Sequence, residues 1–102
     1  MFEGKEMKCF FIVDVYINEN RGKGAYSNYI EKVKPIVESY DGKYITRSEN
    51  IISLSENRNP QRVIIIEFPS KDKLNECFNS NEYKAIMNER IDNVDARALI
   101  VE

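Results

Sequence analysis

The side chains that could do chemistry in this sequence are carboxylates, arginines and tyrosines, because its 102 residues include no histidine and only two cysteines. Histidine is the commonest general base, the commonest protein ligand of zinc and the usual ligand of haem. Its absence predicts that the protein has no metal site and no bound cofactor. Any catalysis would then depend on the remaining polar groups or on a cofactor supplied from outside. The candidate residues of a ligand pocket are Asp14, Tyr29, Arg47, Glu67, Tyr83 and Arg90.

Asp14 is an acidic residue inside an apolar run, where it shares one strand face with Ile12 and Tyr16. If that face lines a cavity, loss of solvent would raise the pKa of its carboxyl and make it a candidate proton acceptor. The alternative is an acid near a strand end that reaches solvent or caps a loop amide.

Glu67 lies at the end of a second apolar run, and Arg47 lies on the strand predicted to pair with it. Arg90 is another candidate partner, since a buried carboxylate without a cation costs several kcal/mol. Such an arginine–carboxylate pair could bind a small anionic or polar ligand. The alternative is an ion pair that only fixes the register of the strands.

Tyr29 and Tyr83 lie on predicted helices near the rim of the expected cavity. They could contact a ligand or donate a proton, or they could simply pack their rings and donate their hydroxyls to backbone carbonyls. Cys9 and Cys77 are predicted to be reduced, buried core residues, with a disulfide between them as the alternative.

Composition predicts one cytoplasmic domain that spans residues 1–102. A net charge of -2 gives no electrostatic reason to expect nucleic acid or an anionic membrane as a partner. No apolar run approaches the roughly 20 residues that span a bilayer, and charged residues interrupt the start of the chain.

Two apolar runs, residues 8–17 and 62–68, predict strands that are buried on both faces. Residues 1–7 are predicted to be a lead-in and 18–24 a loop. A helix is predicted over residues 25–40, kinked or restarted at Pro35 and ended at Asp41-Gly42, where Gly42 is able to adopt the left-handed cap conformation. A strand over 43–48, extended by 51–55, should form a hairpin with 62–68 through a turn at 56–60. Ser70 and Ser80 are predicted N-caps, the second for a helix over 81–91, and residues 96–101 form the last strand.

This βαββαβ order predicts an α+β, ferredoxin-like fold, with a four-stranded antiparallel sheet and helices on one face. The other face would expose an apolar surface that is unusual for a stable monomer. We therefore expect a homodimer that forms through the helix-free face of the sheet.

The chain also resembles the family called domain of unknown function 1330, which belongs to the dimeric α+β barrel superfamily. The resemblance extends from Cys9 to Val101 and rests on the order and spacing of several short motifs, namely Tyr26-x-x-Tyr29, Val33-x-Pro35, Tyr40-Asp41-Gly42-Lys43-Tyr44-Ile45-x-Arg47, Pro60-x-Arg62-Val63-Ile64-Ile65-Ile66-Glu67-Phe68-Pro69-Ser70 and Ser80-x-Glu82-Tyr83 followed by Arg90. It implies the ferredoxin-like fold and the dimer, but no established activity.

Three functions follow as hypotheses. The first is a homodimeric protein that binds a small molecule in a cavity beside the sheet. The second is a cofactor-independent oxygenase or isomerase, in which Asp14 or Glu67 acts as the base and Tyr29, Tyr83 or Arg47 stabilises an enolate-like anion. The third is a structural or protein-interaction role. A polar-lined cavity of a few hundred cubic ångströms would favour the first two, and a filled interior would favour the third.

Overall fold

The computed structural model of the protein describes residues 7–17, 23–91 and 94–102. The predicted lead-in of residues 1–7 and the predicted loop of residues 18–24 fall mostly outside these ranges. Four strands and four helices follow one another in the order β1 (Cys9–Ile17), α1 (Lys23–Ser39), β2 (Lys43–Ser48), β3 (Arg62–Phe68), α2 (Lys71–Phe78), α3 (Asn81–Lys84), α4 (Met87–Ile91) and β4 (Val94–Val101).

The four strands form one antiparallel sheet in the order β2-β3-β1-β4, which is the predicted ferredoxin-like arrangement. The two apolar strands, β1 and β3, lie in the centre, where each has a neighbour on both sides. Phe11 of β1 stands opposite Ile66 of β3 and Ile100 of β4. The predicted hairpin of β2 with β3 is confirmed.

β2 ends at Ser48, so the prediction that residues 51–55 extend the strand is wrong. The backbone N–H of Asn50 donates to Ser48 Oγ at 3.0 Å, and a local bond of this kind competes with the sheet ladder. The loop that follows is highly exposed at Ile52 (87%) and Leu54 (96%). Asn57 takes a left-handed conformation in it, with φ of 66°.

Helix α1 packs on the sheet through Tyr29, Ile30, Val33 and Val37, which recur at three- and four-residue steps and are all buried. Pro35 lies inside the helix but does not restart it. The buried neighbours Val33 and Val37 stabilise the helix on both sides of the proline, which offsets its missing hydrogen bond.

The left-handed residue at the end of α1 is Asp41, with φ of 67°, so the prediction that Gly42 takes this conformation is wrong. Asp41 is a short polar residue and tolerates the conformation. Gly42 is needed for a different reason, since a Cβ there would lie 2.5 Å from Val37 Cγ1.

Both predicted serine caps are confirmed. Ser70 Oγ accepts from Lys73 N at 3.2 Å, and Ser80 Oγ accepts from Tyr83 N at 3.1 Å. The helix predicted over residues 81–91 is instead two short helices, because tight bonds from Ile86 N to the Tyr83 carbonyl and from Glu89 N to the Ile86 carbonyl interrupt it.

All the helices that pack on the core lie against one face of the sheet, which carries Val13, Val15, Ile64 and Ile66. The apolar residues of the other face do not belong to that core, and they are Phe10, Ile12, Val63, Ile65, Leu99 and Val101. Leu99 is 56% exposed. Within the described part of the chain, no helix has the length and apolar character needed to cross a membrane.

Candidate functional site

A cavity of about 410 Å³ lies between the sheet and its helices. Strands supply Phe11, Val13, Val15, Tyr44, Ile64, Ile66, Ala96 and Ala98 to its lining, and helices supply Tyr29, Ile30, Val33, Val37, Leu74, Phe78, Tyr83 and Arg90. Most of these side chains are apolar. Tyr29, Tyr44, Tyr83 and Arg90 contribute the polar side-chain atoms of the lining.

Three of the candidate residues, Tyr29, Tyr83 and Arg90, form one hydrogen-bonded cluster, which we call the Tyr–Tyr–Arg cluster. The two tyrosine hydroxyl oxygens lie 3.0 Å apart, and Arg90 Nε donates to Tyr83 Oη at 3.2 Å. The tyrosine rings meet edge to face, with centroids 6.2 Å apart. Tyr29 is 6% exposed and Tyr83 is 5% exposed.

Local structure brings the cluster together from three helices. Tyr29 belongs to the buried face of α1, and the Ser80 cap starts α3 three residues before Tyr83. Tight bonds from Ile86 N to the Tyr83 carbonyl and from Glu89 N to the Ile86 carbonyl connect α3 to α4, and Arg90 on α4 reaches back to Tyr83, seven residues earlier.

The Arg90 guanidinium remains charged although it is half-buried. Burial lowers the pKa of Arg90, but the neighbouring oxygens of Tyr83 and Tyr29 outweigh this and leave the pKa above its ordinary value. Among the described residues, no carboxylate oxygen lies within 4.0 Å of this guanidinium. The cation in the cavity wall is therefore hydrogen-bonded to tyrosine hydroxyls. It is not paired with a carboxylate from the described part of the chain.

Asp14 does not line this cavity, because its side chain lies on the opposite face of the sheet. There it accepts two hydrogen bonds from Arg58, from Nε at 2.7 Å and from Nη2 at 3.1 Å. The hydrogen bond to Asp14 and the charge of its carboxylate raise the pKa of Arg58. The pair ties the loop after β2 to the central strand β1.

Glu67 and Arg47 do not pair, and Glu67 does not reach Arg90, so those predicted pairs are wrong. Lys43 stands opposite Glu67, and after an irregularity between Tyr44 and Thr46 Arg47 stands opposite Ile64, on the other face of the sheet from Glu67. Glu67 lies on the helix-free face, where Lys8 Nζ is 3.6 Å from its carboxylate.

Arg47 is exposed on the edge strand and does not line the cavity. Its guanidinium carbon lies 5.5 Å from the centre of the Tyr44 ring, in a cation–π arrangement. Of the six candidate residues, the structure thus brings three together at the cavity and places the other three elsewhere.

Cys9 and Cys77 are free, buried thiols, as predicted. Burial, reinforced by the charge of Glu82, raises the pKa of Cys77 to about 11. Burial also raises the pKa of Cys9. Neither thiol lines the cavity, and both are core residues that disfavour the reactive thiolate form.

Sequence reasoning missed the part that β4 plays. Ala96 and Ala98 are small side chains on the cavity face of this strand, opposite Val15 and Val13. Two alanines two residues apart share one strand face and leave space above it. That spacing is the signal that could have predicted which strand helps to make the cavity.

The sequence model of a family described as Domain of unknown function (DUF1330) matches residues 8–102. No curated protein matches the sequence. Among solved structures, the chain is similar to a protein of unknown function from Rhodopseudomonas palustris, with a TM-score of 0.80 and 21% identity over 94% of this chain and 82% of that one.

Two further solved structures share the fold at lower identity. A protein of unknown function from a Jannaschia species, described as dimeric and ferredoxin-like, has a TM-score of 0.77 and 9% identity over 94% of this chain and 99% of that one. SnoaB from Streptomyces nogalater, described as a cofactor-independent oxygenase, has a TM-score of 0.67 and 5% identity over 93% of this chain and 91% of that one. At these identities the similarity concerns the fold.

Proposed function

Because this chain belongs to the family described as Domain of unknown function (DUF1330), we propose a function from its own residues: it is a cytoplasmic homodimer that binds a small organic molecule in the cavity between its sheet and its helices. The observation that carries the proposal is the cavity of about 410 Å³ with the Tyr–Tyr–Arg cluster in its wall.

The size and lining of the cavity support binding. Ligand pockets in proteins are typically about 300–1,000 Å³ and combine apolar walls with a few convergent polar groups. Here the walls include Phe11 and Phe78, whose ring centroids lie 4.9 Å apart. A protein with a purely structural role would be expected to fill this space with side chains.

The alternative of an oxygenase or isomerase with a carboxylate base has less support. Asp14 and Glu67 lie on the other face of the sheet, and no aspartate or glutamate among the described residues lines the cavity. A general base has to lie within hydrogen-bond reach of the proton that it removes.

Homodimer formation through the helix-free face is supported by the apolar residues that this face exposes, including Leu99. The Jannaschia neighbour with the same fold is described as dimeric. A second copy of the chain would cover this face and leave the cavity of each subunit, on the other side of the sheet, accessible.

Binding can be tested with an uncharged fluorescent probe, N-phenyl-1-naphthylamine, which brightens in apolar surroundings. Saturable binding is expected for the natural chain. Ala96→Phe should fill the cavity and weaken binding at least about tenfold. Ala85→Phe adds the same ring at an exposed position outside the cavity and should leave binding unchanged. Equal affinity in all three proteins would refute the proposed site.

The dimer can be tested by sedimentation or light scattering, where the expected mass is twice the chain mass of 12.0 kDa. Leu99→Lys should shift the protein toward monomer. Ile91→Lys, which changes an exposed apolar residue on α4, should not. A natural chain that stays monomeric at tens of micromolar would contradict the dimer.

A further inference from the structure

Arg90 is the feature of the cavity that binding of a merely apolar molecule does not explain. Arg90 lines this mostly apolar cavity and is half-buried, so its guanidinium loses part of its hydration, and this loss costs free energy unless another group replaces the water. The replacement found here consists of tyrosine hydroxyls, which are dipoles and carry no negative charge.

Arginine presents five N–H donors in a rigid planar fork, a geometry that matches a carboxylate. Nε is engaged by Tyr83 Oη at 3.2 Å. Tyr29 Oη lies 3.0 Å from that same oxygen, so a group bound beside the guanidinium would also be close to tyrosine hydroxyl donors. Charged and neutral donors then converge on one region of the cavity wall.

We propose that the ligand of this cavity is a small organic carboxylate with an apolar, ring-sized body, and that its carboxylate binds at the Tyr–Tyr–Arg cluster. This inference rests on the proposed function and names the class of its ligand. The apolar body would lie against Val13, Val15 and Phe78, which line the same cavity.

Preference for an anion would have to come from this local cation, because the chain as a whole carries a net charge of -2. A charge-assisted arginine–carboxylate contact is about twice as strong as a neutral hydrogen bond, and it gains further where water is excluded. Removal of the one positive charge at position 90 should therefore abolish the preference without closing the cavity.

The test compares two ligands of nearly the same shape, naphthalene-2-carboxylate and the neutral naphthalene-2-carboxamide, by displacement of N-phenyl-1-naphthylamine at pH 7. The natural chain should bind the carboxylate at least about tenfold more tightly than the amide. Arg90→Gln should reduce this ratio to about one, because it weakens binding of the carboxylate much more than binding of the amide. Lys84→Gln removes the same charge at an exposed position on α3 and should keep the ratio.

Arg90→Lys keeps the positive charge but lacks the planar guanidinium, so it should retain a smaller preference for the carboxylate over the amide. This variant serves as the test if Arg90→Gln does not fold. Tyr83→Phe should also reduce the ratio, since it removes the hydroxyl that orients Arg90 Nε. Equal binding of both ligands to the natural chain, or a preference that survives Arg90→Gln, would overturn the carboxylate proposal and leave small-molecule binding intact. Failure of the uncharged probe and of both ligands to bind would overturn both proposals.

Discussion

The close contact at Gly42 gives a prediction that can be worked out from distances. A Cβ at this position would lie 2.5 Å from Val37 Cγ1, 2.9 Å from Phe68 Cε1 and 3.0 Å from the Val37 carbonyl oxygen. Carbon atoms in contact are normally about 3.5–4.0 Å apart. Val37 and Phe68 are both fully buried, so Gly42→Ala must displace one of them or the backbone.

Overpacking of a core typically costs about 1–3 kcal/mol. We expect Gly42→Ala to lie in the upper part of that range, because a valine in a helix has one strongly preferred rotamer and cannot easily turn aside. Asp41 is the residue with positive φ, at 67°. Asp41→Gly should therefore stabilise the fold by up to about 1 kcal/mol, since glycine adopts the left-handed conformation more easily than even a residue that tolerates it.

The assay is urea unfolding followed by far-ultraviolet circular dichroism, with all proteins at one concentration because dimer formation would make stability depend on it. Val37→Ala removes the Cγ1 atom that the new methyl group meets. The double variant Gly42→Ala/Val37→Ala should lose less stability than the sum of the single variants, by about 1 kcal/mol or more. Additive losses, or an Asp41→Gly variant no more stable than the natural chain, would refute the reasoning.

Two further predictions concern the cap of α3 and the buried thiol. Ser80→Ala removes the acceptor for Tyr83 N and should cost about 1 kcal/mol in urea unfolding. It should also weaken probe binding more than Ser70→Ala does, because the Ser70 cap does not position Tyr83; equal effects of the two changes would contradict this. The Cys77 thiol has its pKa raised from 9.0 to about 11, so its contribution to stability is full below pH 9 and is lost as the pH rises toward 11. This thiol should make the free energy of unfolding, measured by urea, about 1 kcal/mol lower at pH 10 than at pH 8. In Cys77→Ala the loss of stability between these two pH values should be smaller by that amount. An equal loss in the variant and the natural chain would exclude the thiol as its source.

Local patterns in the sequence predicted most of the fold. The apolar runs of β1 and β3 specified the two central strands, and the serines at 70 and 80 marked the starts of two helices. These features could be predicted because each depends on residues close together in the chain.

Register and the angle between neighbouring helices could not be predicted in this way. After the irregularity between Tyr44 and Thr46, Arg47 stands opposite Ile64 and thus on the other face of the sheet from Glu67, and no glycine or proline in β2 marks that position. The break between α3 and α4 depends on backbone hydrogen bonds between residues three positions apart, in place of the four of a regular α-helix. The sequence of residues 81–91 fits a continuous helix equally well.

The candidate site was predicted only as a set of residue types. Tyr29, Tyr83 and Arg90 are candidates because their side chains can donate or accept protons or bind anions, but their contact depends on the packing of three helices. Asp14 is a candidate for the same reason, yet its strand face is the one without helices, and its carboxylate is paired with Arg58 from a distant loop.

The contact between Tyr29 and Tyr83 also gives the protein a natural optical label. The chain contains six tyrosines and no tryptophan, so tyrosine rings dominate its near-ultraviolet dichroism. Signals of this kind require rings held in fixed asymmetric surroundings and disappear when side-chain packing is lost, even if helices persist. The hydroxyl contact joins residues 54 positions apart. The near-ultraviolet spectrum should therefore follow the assembly of α1, α3 and α4 separately from helix content.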